Sequence, residues 1–317
     1  MDQSATPTVL LSDPMLAGFE PAIQAGGWRV AKAWALTDAD RGEVRAMAHA
    51  GDIHLSHAFL ESLPNLGLIA CVGAGYDGVD VAWCRARGIE VTNAAGLNAA
   101  DVADHAIGLM LAGWRNILAG DRMIRDGLWR ENHRHAASAS LTGRRFGVVG
   151  LGAIGAACAR RAAAFDLDVA WWGPRPKPSA PWPRMDGLLE LAAWSDILLL
   201  ACRANAENRG LISRRVIEAV GANGMIVNVA RGSVVDEDAL IAALQAGRLG
   251  YAGLDVFAQE PTPVERWVDV PNVVLTPHTG STTAETIPRL VARTIENLRL
   301  FFEGRPVATP VPLDIKT

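Results

Sequence analysis

Phe146-Gly147-Val148-Val149-Gly150-Leu151-Gly152-Ala153-Ile154-Gly155 is the stretch that decides the fold. A short apolar run, Phe146–Val149, leads into three spaced glycines, and the Ala-rich stretch Ile154–Phe165 leads out. Strand, glycine turn and helix in that order form the phosphate-binding opening of a dinucleotide fold. Gly150 permits the tight turn, Gly152 lets the backbone approach a pyrophosphate, and Gly155 lets helix and strand pack closely. The helix start then offers unpaired N–H groups and partial positive charge to the phosphates.

The next apolar run, Val169–Trp172, ends at Gly173. An NAD-binding chain carries an acid here, about 20 residues past the turn, for the ribose 2′-hydroxyl. Instead the sequence continues Pro174-Arg175-Pro176-Lys177-Pro178. A carboxylate would repel a 2′-phosphate, whereas an arginine forks onto it. The segment therefore predicts NADP(H) as the preferred cofactor, with Arg175 the first contact, Lys177 a weaker one, and NAD(H) the alternative.

Outward from this motif, 317 residues are enough for two domains with real cores. Half of the residues are apolar and the net charge is −4, which gives no reason to expect nucleic acid or an anionic membrane as partner. No apolar run reaches membrane-spanning length, and the first residues lack a basic region followed by an apolar core. Cys71, Cys84, Cys158 and Cys202 are scattered without paired spacing, as structural thiols in a reducing compartment are. The expectation is a cytoplasmic protein.

Short strands and helices alternate along the chain, which implies parallel sheets covered on both faces. Strands are expected at Val9–Leu11, Trp28–Trp34, Ile53–Leu55, Leu66–Cys71 and Glu90–Asn93, with helices at Glu43–His49 and Val81–Arg87. Ala99–Ala119 reads as one long buried helix. A second series follows at Phe146–Val149, Val169–Trp172, Ile197–Ala201, Met225–Val229, Tyr251–Val256 and Val273–Thr276, with a last helix over Ala284–Glu303 that stops at Gly304-Arg305-Pro306.

Three of these strands run into ionisable residues: Val229-Ala230-Arg231, Phe257-Ala258-Gln259-Glu260 and Thr276-Pro277-His278. In open α/β sheets ligands bind outside the carboxyl ends of strands. There, Arg231 offers a planar fork for a carboxylate, and His278 a proton donor matched to neutral pH. Glu260 beside an imidazole would favour its protonated form, although Gln259-Glu260-Pro261 alone is only a polar loop. Asn132-His133-Arg134-His135 has two histidines but no further ligands, so no metal site is expected. Cys71-Val72-Gly73-Ala74-Gly75-Tyr76-Asp77-Gly78-Val79-Asp80 exposes successive N–H groups, which suits either an anion pocket or a plain turn.

Together these segments resemble the D-isomer-specific 2-hydroxyacid dehydrogenase family, from about Leu66 to the last helix, and most closely its glyoxylate/hydroxypyruvate reductase branch. The resemblance implies two doubly wound parallel-sheet domains with a cleft between them. A discontinuous, flavodoxin-like substrate domain would take residues 1–98 plus 285–317, and a Rossmann cofactor domain residues 99–284. It implies reduction of small 2-keto acids to D-2-hydroxy acids, with Arg231, Glu260 and His278 catalytic and Gly73, Ala74, Gly75 and Arg231 on the substrate. It assigns Val102, Gly150, Gly152, Ala153, Ile154, Gly155, Gly173, Arg175, Lys177, Cys202, Ala230 and Asp255 to the cofactor, Asp255 holding the nicotinamide carboxamide and Val102 packing nearby. A homodimer through the cofactor domain is expected. Larger 2-keto acids, or a low-turnover nicotinamide-sensing binding protein like the family's corepressors, are the alternatives. One departure stands out: Arg203 replaces the family's proline after Ile197–Cys202, which predicts a looser loop beside the cofactor.

Overall fold

The computed structural model describes residues 6–130 and 137–312. The chain forms two compact units, Met1–Asn98 with Thr283–Thr317, and Ala99–Thr282.

The first unit is a sheet of β1 (Thr8–Leu11), β2 (Arg29–Lys32), β3 (Val44–His49), β4 (Leu68–Cys71) and β5 (Glu90–Thr92). Its order is β2-β1-β3-β4-β5, all parallel, which is the flavodoxin arrangement. Alternate residues feed two cores. Val9, Leu11, Ala46, Ala48, Leu68 and Ala70 face one side, and Leu10, Met47, Ile69 and Cys71 the other. The helix Thr286–Phe302 returns to pack on β4 and adds Leu298 to the first of these cores.

Two expectations fail here. Glu43–His49 is not helical: its residues 44–49 are the central strand β3, and Ile53–Leu55 is a loop. Ala46, Met47 and Ala48 favour helices intrinsically. They are buried between β1 and β4, and that tertiary setting overrides propensity.

The second unit holds β6 (Arg145–Val149), β7 (Asp168–Trp172), β8 (Ile197–Leu200), β9 (Met225–Asn228), β10 (Tyr251–Leu254) and β11 (Val273–Leu275). The parallel order is β11-β10-β9-β8-β6-β7. Outside β7, Arg184 bridges Trp171 in parallel, so the segment at 183–185 stands where a dinucleotide fold has its third strand. The order reverses between β6 and β8, the switch point at which such sheets bind ligands.

The expected long helix is two helices, Ala99–Trp114 and Ile117–Arg125. Asn116 separates them at φ +52°, a left-handed conformation that asparagine tolerates better than most residues. Gly253 and Gly113 let Ala99–Trp114 lie close on the sheet: a Cβ on Gly253 would stand 3.0 Å from Leu109 Cβ, and one on Gly113 2.7 Å from Met225 Cε. No helix among the described residues is long and apolar enough to cross a membrane.

His49, at the end of β3, is fully buried. Its Nδ1 accepts from the Ser12 hydroxyl at 2.8 Å and its Nε2–H donates to the Ile53 carbonyl at 3.0 Å. Burial pushes its pKa down to about 4, outweighing the Ile53 hydrogen bond and the charges of Asp52 and Asp13 that raise it. The folded pKa lies below the ordinary value of about 6.5, so the unfolded chain binds more protons between those two pH values. The stability contributed by neutral His49 is therefore complete above about pH 6.5 and falls by about 3 kcal/mol as pH drops to about 4. His49→Gln is expected to flatten the fall in urea midpoint across that window; an unchanged slope would assign the acid sensitivity elsewhere.

Candidate active site

The glycine turn sits at the end of β6. Gly150 has φ +91°, and a Cβ there would also lie 2.6 Å from Cys202 Cα, so both conformation and space demand glycine. A Cβ on Gly155 would collide with the Gly150 carbonyl at 2.1 Å, which shows the close packing expected of it. Gly152 differs. A Cβ there would meet nothing within 4 Å, so no protein contact requires its bareness, whereas a ligand lying on the backbone would. The first bond into the helix Ala153–Ala164 runs from the Ala156 N–H to the Gly152 carbonyl, 2.9 Å. The N–H groups of Ala153, Ile154 and Gly155 thus project from the helix end, as a pyrophosphate requires.

Beyond β7, Gly173 is buried while residues 174–179 are exposed, Arg175 among them. Two side chains organise this edge. Arg184 donates through Nε and Nη2 to the Gly173 carbonyl at 3.2 and 2.9 Å. Lys177 Nζ donates to the Leu151 carbonyl, which draws it back over the glycine turn rather than leaving it beside Arg175. A carbonyl at an exposed turn is a ready acceptor for a long, flexible ammonium. Arg184 was not foreseen, because its approach depends on the extended pairing of segment 183–185.

On the far side of the switch point, the loop after β8 is not loose despite Arg203. Asn205 accepts from the N–H groups of Glu207 and Asn208, Asn208 returns a bond to the Asn205 N–H, and Asn208 Nδ2 donates to the Arg203 carbonyl. Reciprocal asparagine caps do the work expected of the missing proline. Val102 is in the buried core of this unit, and Cys202 is half-buried beside the turn.

The three ionisable residues come from the exits of β9, β10 and β11. Asn228, buried at the end of β9, accepts from the Ala230 N–H and donates to the Arg231 carbonyl, both at 3.0 Å. The Arg231 side chain donates to the Ala230 carbonyl at 2.8 Å. Gly232 then passes so close to the Glu260 loop that a Cβ would overlap the Phe257 carbonyl at 1.9 Å. Glu237, 8% exposed, holds that loop from below: it accepts from the Ala258 N–H at 2.8 Å and from Arg266 Nε at 2.9 Å.

Glu260 accepts from the Phe257 N–H through Oε1 at 2.9 Å, and from His278 Nδ1 through Oε2 at 2.6 Å. Burial pushes its pKa up, but the His278 and Phe257 hydrogen bonds and the charges of His278 and Arg231 outweigh this and hold it below the usual carboxylate range. An ionised carboxylate only accepts, so Nδ1 of His278 carries a hydrogen and donates it to Glu260. His278 has φ +54°, an uncommon conformation for a side-chain-bearing residue, and its N–H is tied to the Asp255 carbonyl at 2.9 Å. The Asp255 side chain is buried by the same turn. Oδ1 accepts from the Thr276 hydroxyl at 2.6 Å and the Thr279 N–H at 2.9 Å, and Oδ2 from the Gly280 N–H at 2.9 Å.

In the first unit, the loop after β4 is also ordered by bonds behind it. The Gly73 carbonyl accepts from the Ala94 N–H, and the Ala74 carbonyl from Asn93 Nδ2, both at 2.8 Å. In a trans peptide the N–H lies opposite the C=O. The N–H groups of Ala74 and Gly75 are therefore turned away from 93–94, and none of Gly73, Ala74 and Gly75 donates a backbone bond among the described residues. A cradle for an anion results. The stretch Asn132–His135 lies outside the described residues.

Comparison with known proteins agrees with this geometry. The family model for "D-isomer specific 2-hydroxyacid dehydrogenase, NAD binding domain" matches residues 107–280. A hydroxyphenylpyruvate reductase of Plectranthus scutellarioides is 39% identical over 268 residues, 84% of this chain and 85% of that protein. A glyoxylate/hydroxypyruvate reductase A of Arabidopsis thaliana is 37% identical over 284 residues, 90% of each. Among solved structures, the NADPH-dependent glyoxylate/hydroxypyruvate reductase of Sinorhizobium meliloti in complex with NADP and malonate superposes with a TM-score of 0.90 at 34% identity, covering 97% of each chain.

Proposed function

The chain belongs to the D-isomer-specific 2-hydroxyacid dehydrogenase family, as an NAD(P)-dependent enzyme, and from that premise we propose that it reduces small 2-keto acids of the glyoxylate/hydroxypyruvate kind to D-2-hydroxy acids, with NADPH preferred. The observation that carries the reading is the 2.6 Å bond from His278 Nδ1 to Glu260, in a unit that also supplies Arg231 and the glycine turn.

The residues present fit a nicotinamide dinucleotide. The open side of Gly152 and the N–H groups of Ala153, Ile154 and Gly155 suit its pyrophosphate, and Arg175 suits a 2′-phosphate. Lys177 reaches the Leu151 carbonyl of the turn, and Cys202 lies beside Gly150. When bound, the cofactor supplies the hydride. The protein's own work is different in kind. In the second unit the Arg231 guanidinium suits the substrate carboxylate, and in the first the amides of Gly73, Ala74 and Gly75 make an anion cradle. His278 Nε2–H protonates the keto oxygen as it gains charge, and Glu260 favours the imidazolium that must be present beforehand. In the reverse direction the neutral imidazole takes that proton back.

NADPH preference is supported by the absence of an acid at the end of β7 and by Arg175, stationed next to the Gly173 turn that Arg184 braces. A second substrate reading, larger 2-keto acids, is favoured by one fact: a relative 39% identical is a hydroxyphenylpyruvate reductase. We also propose a cytoplasmic homodimer. The exposed apolar side chains Ile117, Leu118, Ile124, Leu128 and Trp129 fall within one short stretch of the second unit, which suits burial against a second copy, and the free cysteines suit a reducing compartment.

Two outcomes test these assignments. His278→Asn is expected to lower kcat about 10²–10⁴-fold with NADPH affinity nearly unchanged in a fluorescence titration; persistence of kcat would move the proton donor elsewhere. Arg175→Ala is expected to raise the KM for NADPH about tenfold or more, as loss of a charge-assisted fork implies, with little effect on NADH. Equal effects on both cofactors would contradict a 2′-phosphate contact.

A further inference from the structure

His105 lies in the helix Ala99–Trp114, outside every motif from which the function was read. Its neighbour one turn on, Leu109, rests on Gly253. Four helical residues advance about 6 Å, and two strand residues about 6.6 Å. The helix therefore brings His105 over Asp255, two residues beyond Gly253 on the same chain. His105 Nε2 lies 2.8 Å from Thr276 Oγ1 and 3.2 Å from Asp255 Oδ1.

The hydrogens in this cluster can be placed. Thr276 has one hydroxyl hydrogen, and at 2.6 Å from a carboxylate oxygen it donates there. Its lone pairs then face His105, so Nε2 must carry a hydrogen and donate it. The relay runs from His105 Nε2–H to Thr276 Oγ1–H to Asp255 Oδ1. With the Thr279 N–H also on Oδ1, both acceptor positions of that oxygen are filled. Oδ2 receives only the Gly280 N–H among the described residues, which leaves it one acceptor position. Gly280 keeps that side open, since a Cβ there would stand 2.8 Å from Oδ2.

We infer that His105 is a positioning residue for the nicotinamide: through Thr276 it fixes the rotation of the Asp255 carboxylate so that Oδ2 is presented to the carboxamide N–H₂. The inference rests on the reading of Asp255 as the carboxamide acceptor and goes one residue further. The same Asp255 accepts the His278 N–H on its backbone carbonyl. Fixing Asp255 therefore aligns the hydride-bearing ring with the residue that delivers the proton.

The test compares NADPH with 2′-phospho-ADP-ribose, which lacks the nicotinamide, by titration against the full-length enzyme. His105→Leu is expected to weaken NADPH binding about tenfold, the scale of one lost hydrogen-bonded relay, with 2′-phospho-ADP-ribose binding unchanged. His105→Gln, whose amide keeps an N–H donor, is expected to recover most of the loss. Should His105→Leu fail to fold, His105→Asn, too short to reach Thr276, takes its place under the same expectation. Equal weakening of both ligands would make His105 merely structural and overturn the inference. Asp255→Ala separates the two levels. If it selectively weakens NADPH while His105→Leu does not, the relay is wrong and the Asp255 reading stands. If Asp255→Ala leaves NADPH binding intact, both fall.

Discussion

Asp255 is the point on which the chemistry of the second unit hangs. Its N–H is bonded to the Asn228 carbonyl, its own carbonyl accepts the His278 N–H, and its buried carboxylate accepts from Thr276, Thr279 and Gly280. It thereby joins the exit of the strand that delivers Arg231 to the turn that delivers His278. A carboxylate taken out of water is costly unless its oxygens are satisfied by donors. Here the donors are the turn itself, so the turn cannot relax without exposing an unpaired buried charge. That constraint is strong enough to hold His278 in a left-handed conformation costing about 1–2 kcal/mol for a residue with a side chain.

The other two members are held by the same logic at lower stakes. Glu260 is pinned by the Phe257 N–H and His278, and its loop is pinned in turn by Glu237 and by the bare backbone of Gly232. Burial alone would raise the Glu260 pKa; its hydrogen bonds and the nearby charges win and keep it an anion. An anion there favours a protonated imidazole, which is the form a keto-acid reductase needs before hydride arrives. In the first unit the principle is expressed in backbone. Carbonyls of Gly73 and Ala74 are bonded from one side, so their peptide planes turn N–H groups to the other.

What could be read from the sequence follows from how local each constraint is. Gly150 and Gly155 were legible because positive φ and helix–strand proximity act within a few residues and admit only glycine. Arg231 and His278 were legible because each ends an apolar strand at the edge where parallel sheets bind ligands. Residues 44–49 were misread because their helix-forming composition conflicts with a position between two strands, which a local pattern does not reveal. His105, Glu237 and Arg184 escaped for a related reason. Each acts on a segment far along the chain, and a polar residue on a helix or edge carries no sign of the carbonyl or carboxylate it will meet. The bond from Lys177, a weaker contact to the cofactor by its place in the sequence, to the Leu151 carbonyl is another such distant pairing.

Keto-acid reduction and NADPH meet in this chain in one proposed chemistry. Its most direct measurement is the initial rate of NADPH oxidation with glyoxylate, hydroxypyruvate and hydroxyphenylpyruvate run in parallel, with NADH as the second donor. Rapid oxidation is expected with glyoxylate and hydroxypyruvate, faster with NADPH than with NADH. Turnover confined to hydroxyphenylpyruvate would contradict the substrate assignment, and no turnover with any of the three would contradict the chemistry itself.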